Sequence, residues 1–245
     1  MGAATPRWNP NVEEFQGVKE LFSKYGMKAR LFPALLCVPP FMLIKHLAID
    51  PFVDPSLTSK LWLVAAGDVS LASVLIYLLA QVNRFVSKVL FEARSEFPTT
   101  RMLLPSNKEL SEEFRRKLTA KAQTDFNLSL PSLADEIADT PNAKTRIKEI
   151  VGLIINRVGN GRLLLQHNIE YGFVRNLIGG AVTAVLTSIA GIILFGFVIH
   201  NKAAFIVSIL LAICYSLPLL FSKPLLSNFG RAYASILFRE YAGEK

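Results

Sequence analysis

The sequence predicts an all-α integral membrane protein with about four transmembrane helices and a helical cytosolic domain between the second and third. Three observations carry this prediction. Four apolar runs punctuate the chain, roughly ninety polar residues without strand-type alternation separate the second run from the third, and the Lys and Arg residues are unevenly shared among the polar segments. Only 19% of the 245 residues are charged, against about 25% in soluble domains, which places the chain in the membrane class before any segment is read. The mean hydropathy of +0.37 agrees.

Residues 1–28 form a polar arm. Val12, Phe15, Val18, Leu21 and Phe22 recur at helical spacing between Glu13, Glu14, Lys19 and Glu20, as in a helix that lies on a membrane or on another part of the protein. No compact apolar stretch with a small-residue cleavage site opens the chain, and Pro6 stands where a myristoylation motif takes Ser or Thr. Residues 29–84 hold transmembrane helices 1 and 2. The first run, 31–44, is short: its 14 residues give roughly 21 Å of helix against a hydrocarbon core of about 30 Å. Pro33, Pro39 and Pro40 kink it, and it spans only if Lys45 snorkels and residues 47–53 complete the crossing. The second run, 61–82, is long enough, with Trp62 at one end and Arg84 beyond the other.

Residues 85–176 are the cytosolic domain. Ser106 and Glu109 suggest a capping box before a helix from Leu110 towards Phe126, and Thr140-Pro141 reads as the N-cap and first position of a helix through Val158. Gly159-Asn160-Gly161 breaks the chain before a helical stretch over 162–176. Few residues here favour a large independent core, so the domain is expected to pack in an oligomer or against the membrane arms. Residues 177–222 hold the third and fourth runs, 177–199 and 203–221, joined only by His200, Asn201 and Lys202 as a tight antiparallel hairpin. In the tail, 223–245, Phe229, Tyr233, Ile236 and Leu237 share one helical face and Arg231, Arg239 and Glu240 lie off it, which predicts an amphipathic helix near the membrane surface.

Five Lys and Arg lie in residues 1–30, fifteen in 83–176 and four after 221, against three in the two remaining segments. The positive-inside rule then places both termini and the middle domain in the cytosol. The excess of basic residues also gives a net charge of +8, which alone does not separate nucleic acid, a membrane surface and an acidic ligand as partners.

Asp68 is the most informative single residue. A carboxylate within an apolar helix costs a few kcal/mol and normally faces a bundle interior or water. It reads either as a pore-lining acid, with Ser70, Gln81 and Asn83 on the same helix as further lining, or as a hydrated residue near the outer leaflet. In the third run Gly180, Ala184 and Ser188 form one small-residue row and Thr183, Thr187 and Gly191 its neighbour, a pattern for close helix packing with the same chain or another copy. Arg115, Arg116, Lys117 and Lys121 cluster on one helix of the domain, and Arg157, Arg162 and Arg175 follow. They are candidates for an anionic ligand, weighed against a solvated helix face, since the same region holds eleven Asp and Glu. No phosphate loop, metal motif or nucleophile–base pair is present, so neither enzyme activity nor a cofactor is expected. Cys37 and Cys214 sit in apolar runs and read as small hydrophobes, without a disulfide. The two functional classes left open are a homo-oligomeric channel with a ligand-sensing domain and a membrane-anchored scaffold that recruits a soluble partner.

Three stretches, 28–36 (KARLFPALL), 97–101 (FPTTR) and 168–176 (NIEYGFVRN), together resemble a family of bacterial membrane proteins encoded near phage-defence genes, the Hailong-type transmembrane effectors. The resemblance rests on these short motifs and carries over no site residues. It implies an ion channel of the bacterial inner membrane, a tetramer by preference. A nucleotide or oligonucleotide ligand made by a partner nucleotidyltransferase-like protein would hold it closed, and loss of that ligand during infection would depolarise the cell, an abortive response.

Overall fold

The computed structural model describes residues 23–52, 61–92, 97–159 and 161–243, with the main chain alone at 52, 61–66, 68, 92 and 162. The arm residues Val12 to Phe22 lie outside this set. The described residues are mostly helical and contain no strand. Four helices are long and apolar enough to cross a membrane, Lys24–Ile49, Val69–Phe91, Leu163–Val198 and Lys202–Leu220, so the chain is a multi-pass membrane protein.

The first of them, α1 (Lys24–Ile49), is the one that the sequence left short. Its 26 residues give about 39 Å of helix, enough for the hydrocarbon core without residues 47–53 being drawn in beyond Ile49. Ser23 opens it by accepting from the Gly26 amide at 3.0 Å. Proline at 33, 39 and 40 removes main-chain donors, and the helix is correspondingly irregular: widened turns at Met27–Leu31 and Lys45–Ile49 and a break at Cys37-Val38. At its far end the Lys45 ammonium is held by Asp50 at 2.9 Å, and His46 lies 2.7 Å from the same carboxylate.

Helix α2 (Leu61–Ser87) runs on through a wide turn at Lys88–Glu92, past the boundary at 84 expected from the sequence. The domain follows as α3 (Pro98–Leu103), α4 (Glu112–Phe126), α5 (Leu133–Ala138) and α6 (Thr140–Val158). Ser106 and Glu109 do not cap α4. Ser111 does, accepting from the Phe114 amide at 3.2 Å, while the Ser106 main chain and hydroxyl donate to Glu136 at 2.8 and 2.6 Å. The cap of α6 shifts by one residue, with Asp139 accepting from the Asn142 amide at 3.0 Å and Pro141 in the first turn, where its missing donor costs nothing.

Helix α7 (Arg162–Ile193, with a wide turn to Val198) is a single rod where the sequence suggested two segments. His200, at φ +57°, turns the chain, and the Asn201 side chain accepts from the Ala204 amide at 3.1 Å to start α8 (Lys202–Leu220). Helix α9 (Ser222–Ala242) then packs along α7 and onto α3, α4 and α6. Its apolar face is therefore not laid on a membrane surface, as expected from the sequence. Ala234, Leu237, Phe238 and Tyr241 close a core with Met102, Leu103, Leu118, Ala122, Ile147, Ile150, Ile154 and Leu164. The tail supplies the apolar area that residues 85–176 lack, and the domain has its own core after all.

Candidate functional site

Three sites on the rod α7 concentrate the polar groups that the fold has to place. The first is its crossing with α2. Gly179 and Gly180 lie so close to α2 that a Cβ on Gly179 would run into the Asn83 carbonyl and Ser87, and one on Gly180 into the Asn83 amide and the Cys37 sulfur. Glycine at both positions lets the backbones meet. Asn83 and Ser87 are fully buried there. Neither the Asn83 amide nor the Ser87 hydroxyl has an oxygen or nitrogen partner among the described residues, and the polar neighbour of Asn83 is the Cys37 thiol.

This crossing divides the four residues expected to line a pore. Ser70 and Gln81 are exposed on α2, whereas Asn83 is sealed against α7 within its own chain and lines no open surface in this conformation. On an ideal helix positions 70 and 81 fall about 20° apart and positions 68 and 83 about 60° apart, the two pairs on roughly opposite faces. The Asp68 side chain lies outside the described set; its main chain is helical. The small-residue rows on α7 pack within the chain: Gly180, Ala184, Ser188 and Gly191 are buried, and Gly191 abuts the Ser208 side chain of α8. Their hydroxyl neighbours are satisfied locally, Thr183 by the Gly180 carbonyl at 2.8 Å, Thr187 by Thr183 at 2.9 Å and Ser188 by Ala184 at 2.7 Å.

The second site is a junction two turns earlier. The Asn176 side-chain amide donates to the Ala29 carbonyl at 2.6 Å, Tyr25 and Ala29 press on Gly172, and Arg30 stacks over the Tyr25 ring at 5.5 Å. Tyr171 stacks on Tyr233 with centroids 6.3 Å apart, and Gly230 lets Pro98 and Tyr171 approach α9. Burial pushes the Tyr233 phenol up from its ordinary value. Residues 28–36, 97–101 and 168–176, far apart in sequence, thus meet at one place. Arg175 belongs to this junction, about 20 Å of helix from position 162.

The third site is a cavity of about 940 Å³ at the start of α7, walled by Lys121 of α4, Arg157 of α6, Leu163 of α7 and Ile236, Arg239 and Tyr241 of α9. Gly161 precedes α7 and has no side chain to cap it. The cap comes from the other end of the domain: Glu240 accepts from the Leu164 amide at 3.2 Å, and a Cβ on Gly161 would collide with that carboxylate. Lys121 sits 5.3 Å over the Tyr241 ring and 3.4 Å from Asp125. Burial, and then the neighbouring Asp125, push the Tyr241 phenol up. Among the described residues Arg157 and Arg239 have no ion-pair partner.

The basic residues picked from the sequence are therefore dispersed. Lys121 and Arg157 line the cavity, and the Arg162 side chain is outside the described set. Arg115 is a brace, donating to the carbonyls of Leu103 and Asn107 at 2.7 and 2.8 Å, with burial lowering its basicity. Arg116 is exposed and 3.6 Å from Glu112; Lys117 lines a smaller groove of about 510 Å³ that shares Arg239 with the cavity. Arg239 and Glu240 were read as the solvated side of a surface helix, and only the docking of α9 brings them to the cavity. No group of His, Cys, Asp and Glu among the described residues is placed to hold a metal ion, and Cys37 and Cys214 are free thiols. Compared with family models, curated proteins and solved structures, the chain matches none.

Proposed function

We propose that this chain is the subunit of an oligomeric membrane channel whose opening is governed from its extramembrane domain by an anionic ligand. The observation that carries this reading is the continuity of α7. The same 36-residue helix holds Leu164 in the domain core and Gly179 and Gly180 at the α2 crossing, so a displacement at the domain end has a rigid path of about 24 Å to that crossing. The crossing is itself suited to change: a buried Asn83 whose polar neighbour is the weakly bonding Cys37 thiol gains stronger hydrogen bonds when α2 turns towards water. Four helices in one chain, most of whose surface faces outward, enclose no path, so several copies are required.

The distribution of Lys and Arg supports an orientation with the domain and both termini in the cytosol, and the resemblance of the three junction stretches supports a bacterial inner-membrane setting. The resemblance of the three junction stretches to Hailong-type effectors supports a role in anti-phage defence: a nucleotide-derived ligand keeps the channel shut, and its loss depolarises the membrane. Expression of the chain alone in bacterial cells loaded with a potential-sensitive dye tests this. Rapid depolarisation is expected. Stable membrane potential with the protein correctly inserted would favour a scaffold that conducts nothing.

A further inference from the structure

The geometry points to the cavity at the start of α7 as a binding site for a small soluble oxyanion, such as a phosphate ester, with the Glu240 carboxylate as its tethered competitor. The inference rests on the reading of the domain as a ligand sensor and names its site. Lys121, Arg157 and Arg239 line the cavity with the Glu240 carboxylate; Lys121 pairs with Asp125 at 3.4 Å, and the two arginines, both exposed at its rim, have no ion-pair partner among the described residues. Unpaired arginines on a concave surface suit oxyanions because the guanidinium fork matches two oxygens at once. The α7 N-terminus adds main-chain donors to the same wall, and Glu240 already takes one of them, the Leu164 amide. That contact shows the position to accept a carboxylate oxygen, and Gly161 clears the space for it.

An arriving phosphate and Glu240 are like charges at one set of donors. Binding therefore displaces Glu240 or is resisted by it, and displacement frees the end of α9 from the start of α7. The cavity lies about 28 Å along α9 from Phe221, where the fourth membrane helix ends, and about 22 Å along α7 from the apolar run that begins at Leu177. Both helices run from the bundle to the cavity, which favours a soluble anion over a lipid headgroup.

The experiment measures pyrophosphate binding to the full chain in detergent by its effect on the unfolding temperature and by calorimetry. Pyrophosphate should stabilise the protein, less so as salt rises. Arg157→Ala and Arg239→Ala should each weaken binding about tenfold, the loss of a charge-assisted hydrogen bond. Glu240→Gln keeps an oxygen for the Leu164 amide and loses only the charge, so it should bind about fivefold more tightly. Absence of binding to both the parent and Glu240→Gln overturns the site. Binding that Glu240→Gln leaves unchanged or weakens overturns the competition and makes Glu240 a structural cap. Vesicles containing phosphatidylglycerol should not displace pyrophosphate; if they do, the ligand is a lipid headgroup. Ion conduction by the ligand-free protein is a separate readout, so failure here leaves the channel reading to its own test.

Discussion

The Asn176 side chain donates to the main-chain carbonyl of Ala29 at 2.6 Å, across 147 residues of sequence and in a fully buried position. This bond ties the first membrane helix to the rod α7 where the bundle meets the domain. Asn176→Ala should lower stability by about 1–3 kcal/mol, as for a buried hydrogen bond to a carbonyl. Unfolding in detergent measures it, and an unchanged midpoint would mean that α1 and α7 are held by packing alone.

The glycine pair at the α2 crossing gives a second prediction with its own control. Gly180→Ala places a Cβ against Asn83 and Cys37, and overpacking of this kind typically costs about 1–3 kcal/mol. Gly152, inside α6, has open space around its missing Cβ, so Gly152→Ala should stabilise by about 0.5–1 kcal/mol through helix propensity. Equal effects at both positions would show that the crossing is not tight.

A third prediction concerns pH. Ser132 donates to the Asp135 carboxylate from its main chain at 2.9 Å; this bond first, and then the Ser132 hydroxyl, hold the Asp135 carboxyl below its ordinary value, with Arg146 adding a smaller pull. A carboxyl with a lowered folded pKa stabilises the fold above its unfolded value and loses that contribution as pH falls through the folded one. The difference in melting temperature between the parent and Asp135→Asn should therefore be constant near neutrality and shrink below about pH 4. A difference that does not vary with pH would assign the cap to geometry rather than charge.

Topology is tested by labelling. Cysteines introduced at positions 120 and 243 should react only after the inner membrane is permeabilised, since both lie on the side that the positive-inside rule assigns to the cytosol. Labelling in intact cells would invert the arrangement.

Much of this fold is legible in the sequence because membrane helices announce themselves by length and composition. The second, third and fourth runs need no partner to be recognised. The first was read as short because Lys28, Arg30 and Lys45 flank its apolar run, although a helix end tolerates such residues. The continuity of α7 was hidden because Asn168, Glu170 and Arg175 put polar groups between the helical stretch over 162–176 and the apolar run that follows. In the fold Glu170 pairs with Gln166 at 3.1 Å and lies 3.2 Å from His167, helical spacings in both cases, and Tyr171 meets Tyr233. The amphipathic face of α9 was visible, but its destination was not, because membrane surface and protein core ask for the same pattern. Glu240 carried no local sign of a role: the amide it caps is 76 residues away, and the one hint is that Gly161 cannot cap α7 itself.

The central claim is that several copies of this chain form an ion-conducting pore to which the second membrane helix contributes. Purified protein in a planar bilayer, without added ligand, measures it most directly, with Asp68→Asn as the comparison. Discrete cation-selective currents are expected from a complex of several subunits, with lower selectivity or conductance in Asp68→Asn at unchanged oligomeric mass, because a ring of acids favours cations. Silent bilayers containing correctly folded oligomer, or equal currents from parent and variant, would contradict it.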